Sequence, residues 1–374
     1  MKFRIALLVF LVSVLCGATN GQVKFNTEII FPSSVKLSKL SIEYNDGFKI
    51  IQFNTNGKSN IVKFSGVFYS THPVLIISYN PGNDLPFYPK RYFLKPNSSL
   101  TFYKNSKNNL DSVKLTNAVD ALNMGEMKFN EFAKNEKNEF DRFLSINAKY
   151  INDSVSIYQK FIELSSLVQR KKLNFIKDNS KLYYSLWLFK EEFVSSTDYN
   201  ADSLLKIYNQ YFLSKFSSTF EAKQILSILN GRLNSFIGRP SPLFSSKDIN
   251  GDRIHLSNFR GNKYVLLNFW ATWCVPCVAE MPVLDSIYKQ YSNKDIVIIS
   301  ISQDRNREKC LKAIQKLKMN WINIINDPVV EGAYGNNPSL PQVYLIDKSG
   351  NIIYSRTEKE DYDLKKLLLI IQQL

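Results

Sequence analysis

Cys274 and Cys277 are the residues of this chain best suited to covalent chemistry. Only Val275 and Pro276 separate them, so a helix starting here carries both sulfurs at one end. Two thiols so placed make a reversible disulfide switch. The unpaired N–H groups of a helix start favour negative charge and bring a cysteine pKa down to about 3.5–7.5, and the thiolate is the nucleophile. Pro276 suits a first helical turn, where its missing N–H costs nothing. Such a pair taken alone also fits a zinc site or two buried structural thiols. Zinc needs four ligands, and Cys310 and His255 complete the set only by coincidence, so no metal and no cofactor is expected. Glu280 follows Cys277 by about one helical turn. It is either a proton acceptor and donor for ionising thiols, if burial raises its pKa, or a solvated surface carboxylate. Cys310 shares a helical face with Ala313, Ile314 and Leu317 and reads as a small buried apolar residue. His72 and His255 are isolated.

The elements that must hold the pair are legible around it. Tyr264-Val265-Leu266-Leu267 reads as a buried strand running into Cys274, and residues 278–291 carry a helical pattern. Over residues 243–374 strands are expected at 264–269, 296–301, 342–346 and 351–355, and helices at 276–291, 306–319 and 361–373. Strands alternating with helices imply an α/β mixed sheet with helices on its faces. Asp248-Ile249-Asn250-Gly251-Asp252 marks a hairpin turn, and Gly238-Arg239-Pro240-Ser241-Pro242 marks a unit boundary.

Several separated motifs then coincide. They are Asn268-Phe269-Trp270-Ala271-Thr272-Trp273-Cys274-Val275-Pro276-Cys277, Val278-Ala279-Glu280-Met281-Pro282, and Ser339-Leu340-Pro341-Gln342-Val343-Tyr344-Leu345-Ile346-Asp347. With these, residues 237–374 resemble the thioredoxin-fold domain of the TlpA-like disulfide reductases of the bacterial envelope. The resemblance implies roles. Cys274 is the more exposed, attacking thiolate and Cys277 resolves the mixed disulfide. Glu280 assists proton transfer. Trp273 and Pro276 shape the client surface. Pro341 is a cis-proline facing the disulfide, and Leu340 offers its backbone to the client. Asn268 stands where many cytoplasmic thioredoxins carry a buried aspartate, which makes Glu280 more attractive as its substitute. The direction toward reduction also comes from the resemblance, since potentials in this fold span about −270 to −120 mV. A reductant outside the cytosol further implies a membrane thiol-disulfide electron donor, with disulfide-containing proteins as substrates.

The rest of the 374-residue chain divides by composition. Lys2 and Arg4 precede an apolar run from Ile5 to Leu15, then small and polar residues, which reads as a signal peptide over residues 1–21. Cys16 raises lipid attachment, and the bulky Leu15 before it argues against a lipoprotein site. Export places the protein in the periplasm or cell envelope. Residues 22–110 look β-rich, a small antiparallel sandwich whose last strand is Ser99-Leu100-Thr101-Phe102-Tyr103. In residues 111–236 glycine nearly vanishes and helical spacing takes over. Met127, Phe132, Phe140 and Leu144 suggest one helix, and Ile157, Phe161, Leu164 and Val168 a second, capped by Asp153 or Ser154. Leu182, Leu186, Phe189 and Phe193 suggest a third, and two more follow. The order sheet, helices, thioredoxin domain is similar to multidomain envelope thioredoxins. The net charge of +15 comes from scattered lysines with no dense basic block, so nucleic acid is not an expected partner. Three cysteines after the leader do not staple a fold. The oligomeric state is not legible. Two competing functions remain. One is an envelope adaptor that binds protein or peptide through residues 23–236 while the thioredoxin domain only docks. The other is a peroxidase, which needs a Thr or Ser three residues before its cysteine, a place Ala271 fills for Cys274.

Overall fold

The computed structural model describes residues 23–33, 37–47, 50–53, 60–70, 74–79, 90–94, 99–103, 112–116, 120–291, 295–336 and 340–374. The expected signal peptide over residues 1–21, with Cys16, lies outside the described residues, as do Ser339 and His72.

Among the described residues eight strands come first: β1 Val23–Ile30, β2 Leu40–Asn45, β3 Ile50–Phe53, β4 Ile61–Phe68, β5 Val74–Tyr79, β6 Lys90–Phe93, β7 Ser99–Tyr103 and β8 Ser112–Thr116. They form two four-stranded sheets, β4-β1-β7-β8 and β3-β2-β5-β6. Both sheets contribute to one core, where Phe25 of β1 meets Phe68 of β4 and Tyr44 of β2 edge-on. Two expectations change here. Tyr103 does not end the last strand, because β8 pairs antiparallel with β7 and carries the sheet to Thr116. The pairing is also not wholly antiparallel, since β1 and β7 run parallel. Among the described residues, β5 explains the continuous apolar run at 74–77. Leu75 and Ile77 face the sandwich core, while Val74 and Ile76 face the helices that follow. A strand buried on both faces loses the polar alternation that marks a half-exposed one.

Among the described residues seven α-helices follow: α1 Asp120–Phe132, α2 Lys134–Asn147, α3 Val155–Asp178, α4 Tyr183–Phe189, α5 Ala201–Tyr211, α6 Leu213–Phe216 and α7 Phe220–Asn234. Helix α4 runs on into a π-helical turn, Lys190–Val194. Side chains cap three starts, with Ser154, Asn200 and Thr219 accepting from backbone N–H groups of α3, α5 and α7. The single helix expected over Met127 to Leu144 is two, α1 and α2, broken at Ala133. Met127 is exposed at its surface. Phe129, not Met127, is the buried residue, packing 5.4 Å from Phe175 of α3.

The C-terminal unit comprises β9 Ser245–Lys247, β10 Arg253–His255, β11 Tyr264–Trp270, α8 Val275–Tyr291, β12 Ile296–Ser302, α9 Arg307–Lys316, β13 Ile322–Ile325, α10 Pro328–Ala333, β14 Gln342–Ile346, β15 Ile352–Ser355 and α11 Lys365–Gln372. Its sheet has the order β13-β12-β11-β14-β15. The first three strands are parallel, and β14 and β15 antiparallel. This is the mixed sheet expected, with β13 and α10 added. The four residues of β13 sit at the sheet edge, too short to show a period. One face of the sheet packs on α8, α9 and α11, the other on α10 and the segment before β11. The chain entering this unit pairs with the β15 edge, Gly238 N–H donating to Ile352 O and Ser241 N–H to Gly350 O, so that edge is covered.

Candidate active site

Strand β11 is central and buried, and its carboxyl end delivers the chain into α8. Ala271 and Thr272 make the link. Thr272 is tied down by Asp304, a buried carboxylate just past β12. Asp304 accepts from Thr272 N–H at 2.7 Å, from its Oγ1 at 2.6 Å and from Ser302 Oγ at 2.8 Å. The first residue of α8 is Val275, so Cys274 occupies the cap position. The two sulfurs are bonded to each other, and Cys277 N–H lies 3.2 Å from Cys274 Sγ. A backbone donor therefore points at the sulfur expected to carry the negative charge. Pro276 is at the second helical position and exposed.

Cys274 is the more exposed of the two cysteines, as expected, but only slightly. It is 5% exposed and Cys277 1%, so both sulfurs are buried in this oxidised form, packed among Trp270, Met281 and Leu345. The outer surface around them is formed instead by Trp273, 60% exposed, and Val275. Antiparallel pairing of Phe269 with Gln342 brings the start of β14 beside the end of β11. The Leu340-Pro341 peptide bond just before Gln342 is cis, with Pro341 buried and Leu340 half-buried.

Glu280 is buried on α8 rather than solvated. Arg356, just past β15, donates to its Oε1 from Nε at 2.9 Å and from Nη2 at 2.7 Å. Oε2 makes no hydrogen bond to the protein. Burial raises the pKa of this carboxyl, and the Arg356 guanidinium pulls it back. On its outer side Arg356 lies 5.1 Å from the ring of exposed Tyr362. Arg356, Asp304 and Tyr362 were not singled out by sequence reasoning. Arg356 lies 76 positions from Glu280, and no local spacing links them.

Asn268 is buried on β11 and donates to Ser300 Oγ at 3.3 Å, which also accepts from Trp321 Nε1. It fills its site as a neutral donor. Cys310 is fully buried on α9, 3.2 Å from Ser302 Oγ, and burial pushes its thiol up to about 11. At neutral pH it stays a thiol and is a poor nucleophile. His255 ends β10 and Cys310 packs with Ile314, and no cluster of three or more metal-ligating side chains occurs among the described residues.

Known proteins are similar over this unit. The AhpC/TSA family model matches residues 237–355. The thiol-disulfide oxidoreductase ResA of Bacillus thuringiensis (strain Al Hakam) is 35% identical over 118 residues, 31% of this chain and 67% of that protein. The thioredoxin-like protein YneN of Bacillus subtilis (strain 168) is 34% identical over 128 residues, 33% of this chain and 75% of that protein. The chain belongs to the TlpA-like thiol-disulfide oxidoreductase family. A crystal structure of the thioredoxin domain of a thiol-disulfide oxidoreductase from Bacteroides vulgatus is 27% identical, with 36% of this chain and 97% of that one aligned at a TM-score of 0.32. This thiol-disulfide oxidoreductase thus carries its family match after residue 236, with the sandwich and helices preceding it.

Proposed function

We propose that the chain is exported and reduces protein disulfides through Cys274 and Cys277. The observation that carries the reading is the bonded sulfur pair at the start of α8 with Cys277 N–H directed at Cys274 Sγ. In the reduced enzyme the Cys274 thiolate attacks one sulfur of a client disulfide. The client S–S bond breaks, a Cys274–client bond forms, and the other client sulfur leaves as a thiolate that takes a proton. Cys277 then loses its proton and attacks Cys274 Sγ. The second client thiolate leaves, and the enzyme ends as the Cys274–Cys277 disulfide. The client has gained two electrons and the enzyme has lost them. A membrane thiol-disulfide donor presenting its own thiols returns the pair to the reduced state.

Glu280 is the group placed to take the Cys277 proton. It lies one turn along the same helix, has its pKa raised by burial against the pull of Arg356, and keeps one carboxylate oxygen uncommitted. Trp273, Pro276 and Val275 form the apolar ground on which a client settles, and the Leu340 backbone beside cis-Pro341 pairs with the client chain. We read residues 1–21 as the leader, followed by a β unit, a helical unit and the thioredoxin-like unit from residue 237. We draw the boundary between the β and helical units after Thr116 rather than at 110, a reading supported by the pairing of β8 with β7. The apolar run of residues 5–15 after two cations supports export. Among the described residues no helix is long and apolar enough to cross a membrane.

The test is insulin reduction with a supplied dithiol, comparing the wild type with Cys274→Ser, and client trapping with Cys277→Ser. The wild type accelerates reduction and Cys274→Ser falls to the uncatalysed rate, while Cys277→Ser holds clients as mixed disulfides. Equal rates for wild type and Cys274→Ser would overturn the catalytic reading and favour the adaptor.

A further inference from the structure

Helix α7 places Gly231 and Arg232 against the turn that ends α10. A Cβ built on Gly231 would lie 2.5 Å from Gly335 N and 2.6 Å from both Ala333 O and Gly332 O. Only a residue without a side chain lets the two backbones approach so closely. Arg232 spans the same junction with all three of its guanidinium nitrogens. Nε donates to Gly335 O at 2.9 Å, Nη1 to Ser196 O at 2.8 Å and Nη2 to Val194 O at 2.8 Å. Val194 ends the π-helical turn. The wider winding of such a turn leaves carbonyls without their regular helical partners. The planar fork of an arginine suits three fixed carbonyls, and a lysine cannot copy it. Gly335 itself has φ +87°, and a Cβ built on it would lie 2.6 Å from Arg232 Cγ, so the turn is held in a conformation that favours glycine.

The far side of this turn leads to the client-binding strand. Only residues 337–339 separate Asn336 from Leu340. A cleft of about 190 Å³ at the junction is lined by Arg232, Ser235, Tyr334, Gln342 and Glu358, among others. Gln342 directly follows Pro341, and its Oε1 accepts from Thr357 Oγ1 at 2.8 Å. The helical unit and the cis-proline strand therefore wall the same cleft.

We propose that Arg232, acting from the helical unit, is a positioning residue for client binding. It fixes the turn at residues 334–336, which with Gln342 walls the cleft beside Pro341. A backbone edge binds an extended client well only when it is already ordered, because the client otherwise meets the cost of ordering it. The helical unit is then part of the client-binding apparatus rather than an appended module. The inference rests on the reading that Leu340 presents its backbone to the client.

The experiment compares full-length wild type, Arg232→Gln and Gly231→Ala on two substrates, insulin and the small aromatic disulfide 5,5′-dithiobis(2-nitrobenzoate). Hydrogen exchange is followed over residues 334–345 in the same proteins. The small disulfide needs no backbone pairing. The variants are expected to raise KM for insulin about tenfold. Their kcat, and their rate with the small disulfide, stay within about twofold of the wild type, and amides at residues 335–343 exchange faster. Should Gly231→Ala fail to fold, Arg232→Lys, which keeps the charge but loses the fork, gives an intermediate KM. An unchanged KM for insulin, or losses on both substrates that track the melting temperature, would overturn the proposal. A wild type inactive on both substrates would instead sink the oxidoreductase reading, and unchanged exchange in Arg232→Gln would then sink the positioning role separately.

Discussion

Arg356 is the residue whose partner decides the chemistry of its neighbour. Burial of Glu280 disfavours its charge, and Arg356 restores it through two donors to one oxygen. With Arg356→Met that restoring contact is lost, so the Glu280 pKa rises further. A carboxyl whose folded pKa lies above its unfolded one stabilises the fold at low pH and loses that contribution as pH rises through the folded value. Arg356→Met therefore destabilises the protein more at pH 8 than at pH 5, by about 3–5 kcal/mol at the upper end. If Glu280 must be ionised to take the Cys277 proton, the acid limb of the pH–rate profile also moves to higher pH. Arg356→Lys keeps the charge and recovers part of both effects. Denaturant titrations at the two pH values and the pH dependence of insulin reduction check this. An unmoved acid limb would remove Glu280 from proton transfer. At this scale Cys274, Cys277 and Glu280 were legible because helical spacing alone puts them on successive turns. Arg356 and Asp304 were not, because they reach the site only by folding of distant segments.

Among the elements, α10 joins the helical unit to the cis-proline strand and carries a strained charge of its own. Burial raises Glu331 to about 7, with Asp327 adding to the rise and Arg305 opposing it. Its Oε1 is buried without a hydrogen-bond partner. The sign is that of Glu280: the folded state prefers the protonated acid, so stability contributed below about pH 4.5 is lost as pH passes 7. Glu331→Gln imitates the protonated form. It is expected to raise the melting temperature at pH 8 and change it little at pH 5, as differential scanning fluorimetry at both values would read. A rise of equal size at the two pH values would show that charge is not the cause. Strands β11, β12, β14 and β15 and helix α8 announced themselves by continuous apolar runs and period. Helix α10 has six residues and β13 four, too few to display one. The break at Ala133 also escaped notice, because the apolar spacing runs through it and only the packing of Phe129 on Phe175 shows which face turns inward.

For the molecule as a whole, the sandwich and the helices share a core. Phe93 of β6 is fully buried and meets Trp187 edge-on at 5.0 Å and Tyr184 at 6.0 Å. Gln224 of α7 donates to Gly47 O across the same boundary at 2.8 Å. Phe93→Ala should cost about 3–5 kcal/mol and lower the unfolding midpoint of the helices as well as the strands. Denaturation followed by helical circular dichroism in the full chain checks it, and a helical signal that does not move would mean the two units unfold independently. Local sequence specified the close cysteine pair, the helix and strand that carry it, and the α/β class of the last third. These depend on neighbours in the chain, and periodicity records neighbours. It took folding to bury Glu280 against Arg356, to cover Cys274 in the oxidised form, and to set α7 on the turn at residues 334–336. Burial, ion pairing and close backbone approach are properties of segments brought together from far apart. No local pattern of residue types encodes which distant carbonyl an arginine will meet.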